Sequence, residues 1–191
     1  MKIENYKQII AAFISILLLF SLVGCAKIQE NTDIENYARY FGNDAVEPYK
    51  YKLINDDIFP ERITENMNVE DFKMVYYNPF DPQYLSYLIV EYDENDYQNE
   101  LNRLNGYTST EYVGYYGATG FNDKYELLAM NADSSNGFVY ALSNGSNKII
   151  YVEIMFCNHF MDLEYENYIK EEYLPIGFDA KLDNPYQKKT S

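Results

Sequence analysis

The chain has 191 residues, with 30 acidic and 15 basic side chains, one His, two Cys, 22 Tyr and no Trp. At 24% charged and 47% hydrophobic it lies in the ordinary globular range, which excludes wholesale disorder and fibrous repeats. The net charge of −15 argues against nucleic acid as a partner, because phosphate binding rests on a Lys/Arg surface that this chain lacks.

The N-terminus carries the strongest signal. Lys2 and Lys7 form a short basic region ahead of an apolar run over 9–23, broken only by Ser15 and Ser21. That run is about fifteen residues long, short of the roughly twenty that a membrane span needs. It ends in Leu22-Val23-Gly24-Cys25. These four residues resemble the lipobox of bacterial lipoproteins, where small residues before the cut let the backbone enter a peptidase site. The resemblance implies that Cys25 carries diacylglycerol through a thioether and becomes the first mature residue. Acyl chains on one residue meet the two-signal requirement for stable attachment. The expected location is therefore the outer, extracytoplasmic face of a bacterial cell membrane, with the membrane itself as a partner through the lipid anchor.

Cleavage after Gly24 removes Lys2, Lys7 and Glu4, leaving 13 basic and 29 acidic side chains, a formal charge of −16. Cys157 is then the only free thiol, so no internal disulfide can form. It follows the apolar Ile154-Met155-Phe156, which suits a buried, inert thiol.

Residues 26–57 are polar and acidic, and read as a tether lifting a domain off the lipid, with one short helix before Gly42. Folded structure is expected from about Ile58. Residues 72–77 are rich in β-branched and aromatic side chains and read as a strand, stopped by Asn78-Pro79-Phe80-Asp81-Pro82. A strand over 84–92 is preferred to a helix because Leu88-Ile89-Val90 is continuously apolar. Residues 93–105 read as a helix: Tyr97, Leu101 and Leu104 recur at helical spacing, Asp93 or Asn95 can cap it, and Gly106 follows.

Strands are then expected over 112–117 and 125–130, separated by the glycine-bearing loop at Gly120. The clearest hairpin pairs 138–143 with 149–156 across Asn144-Gly145. A loop of two or four residues puts Val139 and Ala141 on one side with Ile150, Val152, Ile154 and Phe156. Phe138, Tyr140 and Leu142 then share the other with Ile149, Tyr151 and Glu153. Strands apolar on both faces belong in the middle of a covered sheet. A second helix is expected over 162–173, stopped by Leu174-Pro175.

The sum is an α+β fold, a single domain with a mainly antiparallel sheet of about five to six strands and two helices, in the order roughly β-β-α-β-β-β-β-α. The chain divides into a signal peptide (1–24), lipidated Cys25 and tether (25–57), the α+β domain (58–186) and a tail (187–191).

No catalytic constellation stands out. His159, the one histidine, is near Cys157, but zinc needs three or four N/S ligands and no others exist. No Gly-x-Ser-x-Gly elbow surrounds Ser134, Ser143 or Ser146, and the glycines of 114–120 make no phosphate-binding loop. Asp93, Asn95 and Glu100, or Asn131 and Asp133, lack the spacing of a calcium loop. No metal or cofactor is expected. Tyrosine is the unusual feature, a flat apolar body with a polar tip suited to sugars, peptides and protein interfaces. Tyr76, Tyr115, Tyr140 and Tyr151 fall on expected strands and form the candidate binding face. The expected function is a non-enzymatic binding module for an envelope protein or surface glycan. A small carboxylate-dependent glycan hydrolase and an immunity-type lipoprotein that neutralises a basic toxin are the alternatives.

Overall fold

Alternating apolar runs with tight turns between them favour hairpins, and hairpins build the molecule. The computed structural model of the chain describes residues 27–156, 160, 163–182 and 184. Six strands, β1 (Gln29–Asn31), β2 (Asn68–Tyr77), β3 (Gln83–Glu91), β4 (Glu126–Asp133), β5 (Gly137–Ser143) and β6 (Lys148–Met155), form one sheet in the order β1-β2-β3-β6-β5-β4. All neighbours are antiparallel. One α-helix among the described residues, α1 (Glu94–Asn105), connects β3 to the segment before β4. The fold is thus a single α+β arrangement on an antiparallel sheet.

The central strands are buried on both faces, so the sheet is covered on each side. One face carries Tyr84, Leu88, Ala141 and Tyr151, packed under α1 and the 34–59 segment. The opposite face carries Leu85, Tyr87, Tyr140 and Val152, packed under residues 112–125 and 163–180. Helix α1 follows its expected chemistry. The Asp93 side chain accepts from the Asp96 N–H at 2.9 Å, and Tyr97 and Leu104 turn inward.

Four local expectations are corrected. Residues 29–31 form a strand and residues 34–59 put Tyr37, Phe41, Tyr49, Ile54, Ile58 and Phe59 into the core, so the stretch read as a tether belongs to the domain. Its acidic composition hid aromatic residues that bury well wherever they fall. Residues 112–117 do not form a strand, because Gly114, Tyr116 and Gly117 take φ of 88°, 50° and 79°. Three left-handed residues within four positions break the extended run that a ladder needs. Residues 162–173 are not an α-helix: 3-10 turns at Tyr165–Asn167 and Glu171–Tyr173 are separated by an extended Lys170. That break lays Tyr165, Ile169, Tyr173 and Leu174 along the sheet, and the Tyr173 carbonyl accepts from Tyr140 Oη at 2.8 Å.

The fourth correction concerns the β5–β6 hairpin. Ser143 pairs with Ile149, which leaves an odd loop of five residues over 144–148, with Gly145 and Asn147 both at positive φ. Odd parity reverses the expected partners: Val139 and Ala141 share a face with Tyr151 and Glu153, and Phe138, Tyr140 and Leu142 with Ile150, Val152 and Ile154.

Candidate functional site

The long excursion between β1 and β2 contains almost no regular structure, so its backbone polar groups need other partners. Side chains supply them. Tyr84 Oη on β3 donates to the Pro48 carbonyl at 3.2 Å, and Asn131 Nδ2 on β4 donates to that of Asn55 at 3.0 Å. Arg103 on α1 donates to the carbonyls of Asp57 and Ile58 at 2.9 and 2.7 Å. Tyr37 Oη reaches that of Pro60 at 2.5 Å. Five carbonyls of a loop are therefore fixed by the sheet, the helix and the loop's own start.

A charge cluster lies beneath this loop. Lys52 Nζ is 2.8 Å from Asp56 Oδ2 and 2.8 Å from Glu153 Oε1, and sits 3.7 Å from the centre of the Phe41 ring. Glu153 Oε2 accepts from Ser86 Oγ at 2.8 Å on the neighbouring strand. Glu153 is fully buried. Burial pushes its carboxyl above the ordinary value, Lys52 opposes that push, Asp56 adds to it, and Ser86 works with Lys52. An ammonium bridging two carboxylates in the interior locks the excursion to β6.

A second polar chain runs from the core to α1. Tyr151 Oη donates to Glu100 Oε1 at 2.6 Å, so Tyr92, 2.7 Å away, must donate to Tyr151. Arg103 grips the same Glu100 through Nε and a terminal nitrogen at 2.8 and 2.6 Å. Arg103 thus joins the buried tyrosines to the loop carbonyls.

Between loop and helix opens a cleft of about 620 Å³. Tyr49, Ile54 and Phe59 give it an apolar floor, and Asp56, Asp57, Glu61, Asn43 and Asn55 a polar, acidic wall. Burial lifts the Tyr49 phenol to about 12, so it stays neutral at physiological pH. Of the cations lining the cleft, Lys52 and Arg103 are committed to internal carboxylates, while Lys50 is exposed. Glu61 also meets Arg62 at 3.2 Å, a pair exposed on both sides and weak for that reason. Arg103 also lines a smaller cavity of about 440 Å³ with Tyr92, Asp96 and Asn99.

The expected tyrosine face is not assembled. Tyr140 and Tyr151 are fully buried, Tyr76 is buried and Tyr115 is half-buried. Tyr76 and Tyr151 pack on one side of the sheet, and Tyr140 and Tyr115 on the other. In a chain without Trp these rings serve as core, with their hydroxyls spent on hydrogen bonds such as those of Tyr140 and Tyr151. Cys25, Cys157 and His159 lie outside the described residues. Among the described residues there is no group of three or more His, Cys, Asp or Glu placed to hold a metal ion. No helix among them is long and apolar enough to cross a membrane.

Sequence reasoning passed over Lys52, Asp56 and Glu153. One signal was available: Glu153 is the lone charge inside the otherwise apolar run 149–156, and a charge in a strand covered on both sides needs a buried cation. Which cation it takes is set by the fold of the excursion, which has no periodic pattern to read.

No family model matches the chain, and no curated protein and no solved structure matches it either.

Proposed function

We propose that the chain is an exported lipoprotein, held by an acylated Cys25 on the outer face of a bacterial membrane, whose domain binds a basic segment of an envelope protein. The observation that carries this reading is the cleft between the excursion and α1. Its loop is pinned through five carbonyls, so little ordering entropy is lost on binding. An apolar floor with Asp57 and Glu61 on the wall suits a Lys or Arg side chain, whose stem is apolar and whose head is charged. The chain's net charge of −15 draws such a partner in and repels anionic wall polymers. A basic toxin is one protein of this chemistry.

Glycan recognition has less support, because the rings available for stacking, Tyr49 and Phe59, are buried in the floor. Glycan cleavage by paired carboxylates has less still. Glu153 is the carboxyl raised by its surroundings, and it is sealed from any substrate by Lys52 and the sheet.

Chemical crosslinking of the lipidated protein on living cells, followed by capture and mass spectrometry, tests this. One dominant protein partner is expected, and Asp57→Lys with Glu61→Lys should remove it while Tyr151→Phe leaves it. Recovery of sugar fragments without protein, or a partner indifferent to the charge reversal, contradicts the reading.

A further inference from the structure

The start of the described chain and the most exposed apolar side chain lie at the same end of the sheet. Gln29 is paired with Tyr76 and Asn31 with Met74, so the chain before Gln29 runs on past Tyr77 toward the β2–β3 turn. Ile28 still packs against the core under the far face of the sheet. Four residue steps separate Cys25 from Gln29, so their Cα atoms are at most about 14 Å apart whatever path the chain takes. No tether intervenes between the lipid-bearing position and the sheet.

The β2–β3 turn is Asn78-Pro79-Phe80-Asp81-Pro82. Phe80 at its tip is 81% exposed, the highest value among the large apolar side chains of the described residues. A single exposed ring is ordinary on a protein surface. Its position is what distinguishes this one: it stands beside the strand that leads out of Cys25, on a turn whose two prolines fix φ and hold the tip.

We propose that the 78–82 turn is a membrane-contacting element that seats Phe80 in the interfacial layer of the bilayer beside the acylated Cys25, and so sets the tilt of the domain. This rests on the lipoprotein reading above and deepens it by naming the surface that faces the lipid. Length of chain and strand register bring the turn to the headgroups, where an aromatic ring is favoured. The contact is small, one ring with the single exposed carboxylate of Asp81 beside it, which an acidic protein can bring to lipid more readily than a broad face. Exposed Lys27, between the anchor and β1, adds one cation on the side that meets the headgroups.

The chain has no Trp, so Phe80→Trp introduces a lone indole that reports its own surroundings. The full chain carrying this substitution is purified in lipidated form and reconstituted into phosphatidylcholine vesicles with acyl chains brominated near the glycerol. Expected are a blue shift and loss of most of the emission relative to unbrominated vesicles. An indole placed by Asn144→Trp in the exposed β5–β6 turn, at the opposite end of the sheet, should keep its emission. Equal quenching of both, or of neither, overturns the inference. So does a blue shift at position 80 that grows with protein concentration in the absence of lipid, which would mean that a second copy covers the ring. Intact mass of the same samples separates the two readings: diacylglycerol on Cys25 with an unquenched indole defeats only the turn contact, whereas a chain without lipid defeats the lipoprotein reading and this one with it.

Discussion

Lys52 has its ammonium between two carboxylates, one of them out of reach of water, and Asp56 makes the buried Glu153 harder to ionise. Removing the cation is therefore worse than removing the whole pair. Lys52→Met leaves Glu153 buried and uncompensated, which costs about 3–5 kcal/mol at neutral pH. The sign of the pH dependence follows from the direction of the shift. A carboxyl raised in the folded state contributes stability at pH below its unfolded value and loses it as pH rises through the folded value. Without Lys52 the Glu153 carboxyl rises further, so the destabilisation should shrink as pH falls into the carboxyl range. Lys52→Met with Glu153→Leu should recover most of the loss and flatten the profile. Urea denaturation of the three proteins across pH checks this; a loss in Lys52→Met that is the same at every pH would contradict the interior ion pair. The tyrosines are the other residue-scale test. Tyr151→Phe removes the donor to Glu100 and the acceptor for Tyr92, at about 1–3 kcal/mol, with the partner still bound. Tyr140→Ala empties a site buried under the far segment and should cost about 3–5 kcal/mol. Loss of partner binding by Tyr151→Phe with stability unchanged would restore the tyrosine face.

Among the elements, those read well from sequence were the ones with a strong period. Helix α1, the β2–β3 hairpin and β5–β6 each announced themselves by spacing, by Asp93 and Gly106, or by Pro79, Pro82 and Asn144-Gly145. What remained hidden was parity. Asn144-Gly145 marks a turn, yet the five residues of 144–148 rather than two or four decide which side chains share a face. Within that loop Asn147 takes a left-handed conformation, which few signals in sequence foretell. For the same reason the cleft was not legible, since it is built by a loop held through side-chain hydrogen bonds to distant strands. Gly42 and Glu61 test this at the element scale. Gly42 has φ of 76°, and a Cβ there would collide with the Glu61 carbonyl. Gly42→Ala should therefore cost about 1–3 kcal/mol through backbone strain, and should loosen the two sides of the cleft together. Thermal melts measure the first. Faster hydrogen exchange at residues 42–61 than in β3 and β6 measures the second; an unchanged melt would show that the loop tolerates the shift at no cost.

For the molecule as a whole, charge and the proposed anchor would act together. On the proposed lipoprotein reading, a domain whose β1 begins so near Cys25 would be held at the membrane, and its negative field would then select among neighbours that diffuse in the same plane. Association with a basic partner should be faster at low ionic strength, and should lose most of that gain when Asp57 and Glu61 are reversed to Lys. Stopped-flow or surface-binding rates over a range of salt report this, and rates that ignore salt would contradict an acidic docking site. The function proposed above puts the partner in the cleft. Its most direct measurement is photo-crosslinking on living cells with a photoreactive residue placed, one at a time, at Asn43 on the cleft, Asp123 on the opposite face and Asn144 in the far turn, all three outside the core. One dominant protein adduct is expected from Asn43 and none from the other two positions. An adduct from Asp123 or Asn144 with none from Asn43 would contradict that placement.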